Sequence, residues 1–339
     1  MADVLITLFL LCILAACTVC SLQKGEKNQM LNVSYTTAMK GLACIVVVLV
    51  HIPAQHSNPV QDMIGSFGFV GVTAFFAISA YGFRVSMQRD EKYLARFWRK
   101  RIPALLIPAL IINMVRFCVE TAFFGNTDIS GLWSFNIYIY AILVAYFVFW
   151  SVYSFLRKFP HKDFLISAII IFLSLLTYFT DFRPFFIWST ESIGCVWGLM
   201  LFHWKDKFWD FINCRKFASV LALGLLSAAI GLSYLKLKTV FFLGAYLLKI
   251  ILGAAILAFA MALLVGKGFR GNSVLVKLGE ISYEVYLGHL IVLDYAQRLL
   301  RSASSGNYIW IVILVTIVFA FVIHSISSAI TKKLRIMLK

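Results

Sequence analysis

Three side chains able to exchange protons or hydrogen bonds recur in "LGEISYEVYLGHLIVL" (278–293): Ser282, Tyr286 and His289. Spacings of four and three residues put them on one helical face, within about 60° of each other. A second imidazole, His51, ends the apolar run "KGLACIVVVLVH", which begins at Lys40. At 100° per residue Lys40 and His51 share a face to within about 20°, with about 16 Å of rise between them. Ionisable groups in membrane helices are costly and face a partner or a cavity. Each imidazole is therefore either a neutral ring bonded to a neighbouring helix or the wall of a functional pocket, and Lys40 either a rim anchor or part of that pocket.

Two further stretches could complete such a pocket. "GFVGVTAFFAISAYGF" (68–83) mixes small residues, aromatics and Ser79, as close helix contact or a narrow cavity requires. It runs into "RVSMQRDEKYLARFWRKRIPALLIP" (84–108), a belt of Arg and Lys that includes Arg99 and Arg101. The belt either fixes topology or holds an anionic ligand by charge-assisted hydrogen bonds, for which a phosphorylated cytosolic donor is suited. Elsewhere, Arg116 and Glu120 are spaced for an ion pair along one helix, and Lys249 could pair with Glu191 or another acid. Glu280 and Glu284 suit the N-terminal end of a helix dipole. "PAQHSNPVQDM" (53–63) reads as an outer loop with His56 solvated.

The elements that must position these residues are legible from composition. Of 339 residues, 61% are hydrophobic and 14% charged, a balance outside the range of soluble domains. Apolar stretches of membrane-spanning length predict an all-α, polytopic membrane bundle of about eleven transmembrane helices. They fall near 3–22, 37–54, 67–87, 102–124, 134–156, 163–181, 185–203, 217–234, 239–265, 279–299 and 307–330.

The net charge of +16 comes from cations crowded on one side of an alternating eleven-helix arrangement. By the positive-inside rule that side is cytoplasmic, which puts the C-terminus inside and the N-terminus outside, and the charge is then no sign of nucleic-acid binding. Arg183, Lys236, Lys238, Arg298 and Arg301 fall on the other side. "LAAC" (14–17) resembles a lipoprotein cleavage box, but the chain opens "MAD" and its lysines follow the apolar run, so the first helix is expected to be retained. Cys17 and Cys20 form an isolated C-x-x-C pair, from which neither a metal site nor a disulfide framework follows. The chain has no P-loop, dinucleotide fingerprint or nucleophile elbow. Gly194 and Gly198 form a GxxxG suited to close helix packing.

Taken together, "KGLACIVVVLVH", "GVTAFFAISAYGF", "RFWRKRIPALLIP" and "ISYEVYLGHLIV" resemble the signatures of integral-membrane acyltransferase family 3, the O-acyltransferases that modify bacterial surface carbohydrates. The departures are Lys40 where Arg is usual, Thr73 where Asp is frequent and Ala80 where Gly is frequent. The resemblance implies a ten-helix acyltransferase domain (31–339), with residues 1–30 adding an extra N-terminal helix and a short basic linker, in the inner membrane of a bacterium. It implies transfer of an acyl group, most simply acetyl from acetyl-CoA, to a hydroxyl of a surface or lipid-linked carbohydrate, with no permanently bound cofactor. CoA phosphates would be held by Lys40, Arg99 and Arg101. His51 would act as general base or nucleophile, supported by His289, while Ser79, Tyr286 and Glu191 would line the substrate path. The partners implied are acyl-CoA, the carbohydrate and the bilayer, with a separate envelope protein as the alternative to a one-chain mechanism. Two other classes accommodate buried polar residues: a saccharide transporter or flippase, whose sign would be repeats with paired broken helices, and a catalytically degenerate accessory subunit. No such repeat is legible.

Overall fold

A computed structural model describes residues 2–180 and 189–337. Arg183 and the first residues of the predicted 185–203 helix lie outside the described residues, as do Leu338 and Lys339. The helices are α1 (Ala2–Ser21), α2 (Val33–Val50), α3 (Pro59–Gly65), α4 (Phe69–Arg89), α5 (Phe97–Phe124), α6 (Ile137–Phe155) and α7 (Lys162–Thr180). They continue with α8 (Gly194–Cys214), α9 (Lys216–Leu237), α10 (Lys249–Leu263), α11 (Val274–Glu280), α12 (Ser282–Leu299) and α13 (Ser305–Met337). A π-helical turn, Leu243–Leu248, leads into α10.

Ten of the eleven predicted spans coincide with a helix, while the span at 185–203 is met only in its second half by α8, which runs on to Cys214; among the described residues nine spans are long and apolar enough to cross a bilayer. The two helices that fall short, α8 and α12, carry charges along their length: Lys205, Asp206, Lys207 and Asp210 on one, Glu284, Asp294 and Arg298 on the other. Packing compensates on α12, which is wedged against α2, α5 and α13 with its Tyr286–His289 segment buried.

Side-chain caps set several helix starts. Asn32, Asn58 and Asn136 each accept from a backbone N–H of the first turn, at 2.9, 3.1 and 2.9 Å, satisfying a donor the helix itself leaves open. The centre of the bundle is α4, packed between α2 and α8. The predicted GxxxG makes the α8 contact: a Cβ at Gly194 or Gly198 would collide with the carbonyl oxygens of Thr73 and Ala77, so only glycine allows this approach.

Two short strands, β1 (Leu22–Lys24) and β2 (Lys267–Phe269), pair antiparallel with Leu22 opposite Phe269. Bonds from Gly25 N to Gly266 O (3.1 Å) and Arg270 N to Ser21 O (3.0 Å) extend the ladder. They fasten the end of α1 to the segment that precedes α11.

Four local expectations change. Helix α2 stops at Val50, not 54, with His51 as its C-cap; Pro53 disfavours helical backbone in the residue before it. Residues 53–63 are no solvated loop: a short 3₁₀ turn and α3 fold back on the bundle, and His56 is 3% exposed, stacked on Tyr308 with centroids 3.9 Å apart. Glu284 is not a rim cap but a buried carboxylate that accepts from His324 Nδ1 (3.0 Å) and Ser327 Oγ (3.3 Å), because α13 lies over the start of α12. Glu120 bonds to Arg298 at 3.1 Å and to the Tyr295 hydroxyl at 3.3 Å, a tertiary contact in place of the expected pair with Arg116.

Candidate active site

The belt before α5 shapes the first part of the site. The helix begins at Phe97, earlier than the predicted 102, with Pro103 and Pro108 inside it. This winds Arg101 into the second turn and toward the bundle. Its guanidinium donates to the Tyr93 hydroxyl at 2.9 Å and sits 5.3 Å from the centroid of the Tyr146 ring. Lys40, on α2, borders the same space. Among the described residues no carboxylate forms an ion pair with either cation.

Three cavities follow one another along α2. The first, about 640 Å³, is predominantly basic and is lined by Lys40, Arg89, Arg101, His203 and Lys205, with Ser79 and one carboxylate, Asp206. The second, about 250 Å³, shares Lys40, Ser79 and Arg101 with it and is otherwise walled by Phe75, Tyr138, Tyr146, Tyr283 and Tyr286. Phe75, Tyr138 and Tyr286 close its far end as a mutual ring contact, with centroids 4.9 to 6.3 Å apart. The third, about 390 Å³, lies beyond that contact and is lined by His51, Asn136, Glu191, Tyr286 and His289 among apolar residues. Tyr286 borders the last two. Since Lys40 meets Tyr286 in one chamber and His51 meets His289 in the next, α2 and α12 run parallel.

The imidazoles of His51 and His289 touch edge to face, with centroids 4.9 Å apart. His51 Nδ1 lies 2.8 Å from the Val47 carbonyl and His289 Nδ1 lies 2.6 Å from the Tyr286 carbonyl. A carbonyl only accepts, so each Nδ1 carries the hydrogen and each neutral ring keeps its lone pair on Nε2. His289 is 1% exposed and its Nε2 has no partner among the described residues; His51, at the helix end, is exposed. This arrangement sets two imidazoles at one cavity, with two cations that have no carboxylate partner among the described residues further along the same path. Residues 33–326 match the family model of an acyltransferase domain. The chain belongs to the membrane acyltransferases of family 3. No curated protein and no solved structure matches it.

The match begins at α2 and leaves α1 outside. In this acyltransferase the structure brings together Lys40, Ser79 and Arg101 on the basic side and His51, His289 and Glu191 on the other, with Tyr286 between. Arg99 is exposed on α5 and lines none of the three cavities. Arg84, the first residue of the belt, is engaged by Asp163 at 2.7 Å, a carboxylate that also takes the Tyr153 hydroxyl and His203. Glu191 is held by Lys249 at 2.6 Å and by the Thr190 hydroxyl at 2.8 Å, the pairing the sequence suggested. Thr73, at the position where the family often has Asp, is buried and donates to its own helix at Phe69 O, 3.0 Å. Asn136 escaped the sequence reading. Its local signal, an Asn directly before "IYIYAILV", marks a helix start, while its place in the cavity depends on how α12 packs against α6.

Proposed function

We propose that the acyltransferase takes an acyl group, most simply acetyl, from cytosolic acetyl-CoA and transfers it to a hydroxyl of a surface or lipid-linked carbohydrate. The observation that carries this reading is the pair Lys40 and Arg101, two cations without carboxylate partners at the junction of the first two cavities. Uncompensated charge inside a helical bundle is costly unless a ligand of opposite sign completes it. The diphosphate and 3′-phosphate of CoA supply that charge, and Arg offers a planar fork for them where Lys offers a point charge. The pantetheine arm then runs along the Lys40 to His51 face, past Ser79 and Tyr286, so that the thioester meets the histidines. With its lone pair on Nε2, His51 takes the proton of the acceptor hydroxyl as general base, and His289 supports it. Glu191 and the His51 cavity form the acceptor side. In this reading the chain sits in a bacterial inner membrane, with the basic side and the C-terminus in the cytoplasm and the N-terminal end of α1 outside.

The test is purification of wild type and His51→Ala in detergent, with acetyl-CoA binding measured by calorimetry and thioester turnover measured by thiol release. Wild type should bind and turn over acetyl-CoA, whereas His51→Ala should bind without turnover. Absence of any acyl-CoA binding by wild type would overturn the reading.

A further inference from the structure

Acyl transfer needs a base and also a donor for the negative charge that develops on the carbonyl oxygen. The His51 cavity is lined by five polar side chains: His51, Asn136, Glu191, Tyr286 and His289. Each can be asked where its hydrogens go. The Nδ1 hydrogens of both histidines are directed to the Val47 and Tyr286 carbonyls. The Tyr286 hydroxyl donates to Asn136 Oδ1 at 3.4 Å. Glu191 only accepts, and the ammonium and hydroxyl that reach it, from Lys249 and Thr190, are directed to its two oxygens.

Asn136 differs from the others. Its Oδ1 accepts from the backbone N–H of Tyr138 at 2.9 Å as the cap of α6. A backbone N–H can only donate, so this bond fixes which amide atom is oxygen. The remaining atom, Nδ2, carries two hydrogens. Among the described residues no protein group accepts either of them, and Asn136 is half-buried at the cavity wall. Among the described residues it is the one side-chain donor of this cavity left unengaged, and it lines the same space as His51 and His289.

From this we infer that Asn136 is a catalytic residue, its Nδ2 hydrogens stabilising the oxyanion formed when the thioester carbonyl is attacked. The inference rests on the acyl-CoA reading above. In the step, the acceptor oxygen bonds to the thioester carbon and its proton passes to His51 Nε2, while the carbonyl electron pair moves to oxygen beside Asn136. On collapse the C–S bond breaks, the imidazolium returns its proton to the thiolate, and the ester and free CoA thiol leave. If His51 itself is the nucleophile, the same oxyanion forms and the same donor serves it. The cap bond to Tyr138 and the bond from Tyr286 hold the amide in place, so no reorganisation is needed at the moment of attack.

The test uses the full-length protein in detergent, with acetyl-CoA as probe and water as acceptor. Asn136→Asp keeps the Oδ1 cap and the partner of Tyr286 but removes the donor. It should lower kcat for thioester hydrolysis by about 10²- to 10³-fold, with acetyl-CoA Kd and thermal unfolding close to wild type. Asn136→Ala, which also loses the cap, should show the same kcat loss and a lower Tm. The inference is overturned if Asn136→Asp retains wild-type kcat while His51→Ala is inactive, or if its kcat, Kd and Tm all fall together as a purely structural role would require. Failure of wild type to bind acetyl-CoA removes the underlying reading instead, and the inference with it.

Discussion

The two ends of the α2 path solve opposite electrostatic problems. Around Lys40 and Arg101 positive charge is left uncompensated among tyrosines. Around His51 the one formal ion pair, Glu191 with Lys249, is closed upon itself, and the imidazoles are tethered by carbonyls that fix their tautomers. An end with spare charge is suited to gripping an anion. An end with neutral bases and a neutral amide donor is suited to moving a proton and sheltering a transient charge. In the proposed reaction this separation lets one chain hold a highly charged donor without placing those charges on the reacting atoms.

This contrast can be broken from either end. The largest effect is expected from His51→Ala, which should reduce acyl turnover by about 10²- to 10⁴-fold, the range for loss of a general base. Donor binding should stay near wild type, and equal losses in both would merge the two ends into one. Next, Arg101→Gln and Lys40→Met should each weaken acetyl-CoA binding by about 10- to 100-fold, as expected for a hydrogen bond to a charged group. Turnover at saturating donor should persist, and the loss should shrink at high salt as exposed phosphates are screened. Gly198→Leu acts on the scaffold common to both ends. By forcing α8 away from Ala77 it should cost about 1–3 kcal/mol, read as a fall in Tm with both functions declining together. Smallest of all, Tyr286→Phe removes only one long hydrogen bond and should change turnover by no more than a few-fold, about 1 kcal/mol or less. A large loss there would give the Tyr286 hydroxyl a chemical part in addition to its place between the cavities.

Much of the scaffold can be read from local composition, because span length and the small-residue pattern of Gly194 and Gly198 are imposed by the bilayer and by backbone approach. The helical spacing that set Ser282, Tyr286 and His289 on one face also matches the structure: Ser282 and Tyr286 line the middle chamber, and Tyr286 and His289 line the next. The readings that changed concern residues whose partners are distant in sequence. His56 resembles a loop residue until α13 supplies Tyr308, and Glu284 resembles a cap until α13 supplies His324. Asn136 carries a capping signature that accounts for only half of its side-chain amide. Arg101 lies in a belt whose charge is obvious in the sequence, but its inward direction comes from α5 starting at Phe97. Periodicity reports which face a residue occupies; it carries no information on which other helix arrives at that face.

The antiparallel ladder between Leu22–Lys24 and Lys267–Phe269 constrains the order in which the molecule can be completed. Helix α1 precedes every other helix described, yet the strand that fastens it is made only after α10, and its contacts include α11 and α13 as well as the nearby α3. Of these neighbours only α3 is made early, so the fastening of α1 is completed only once the segments from Lys267 onward have been added.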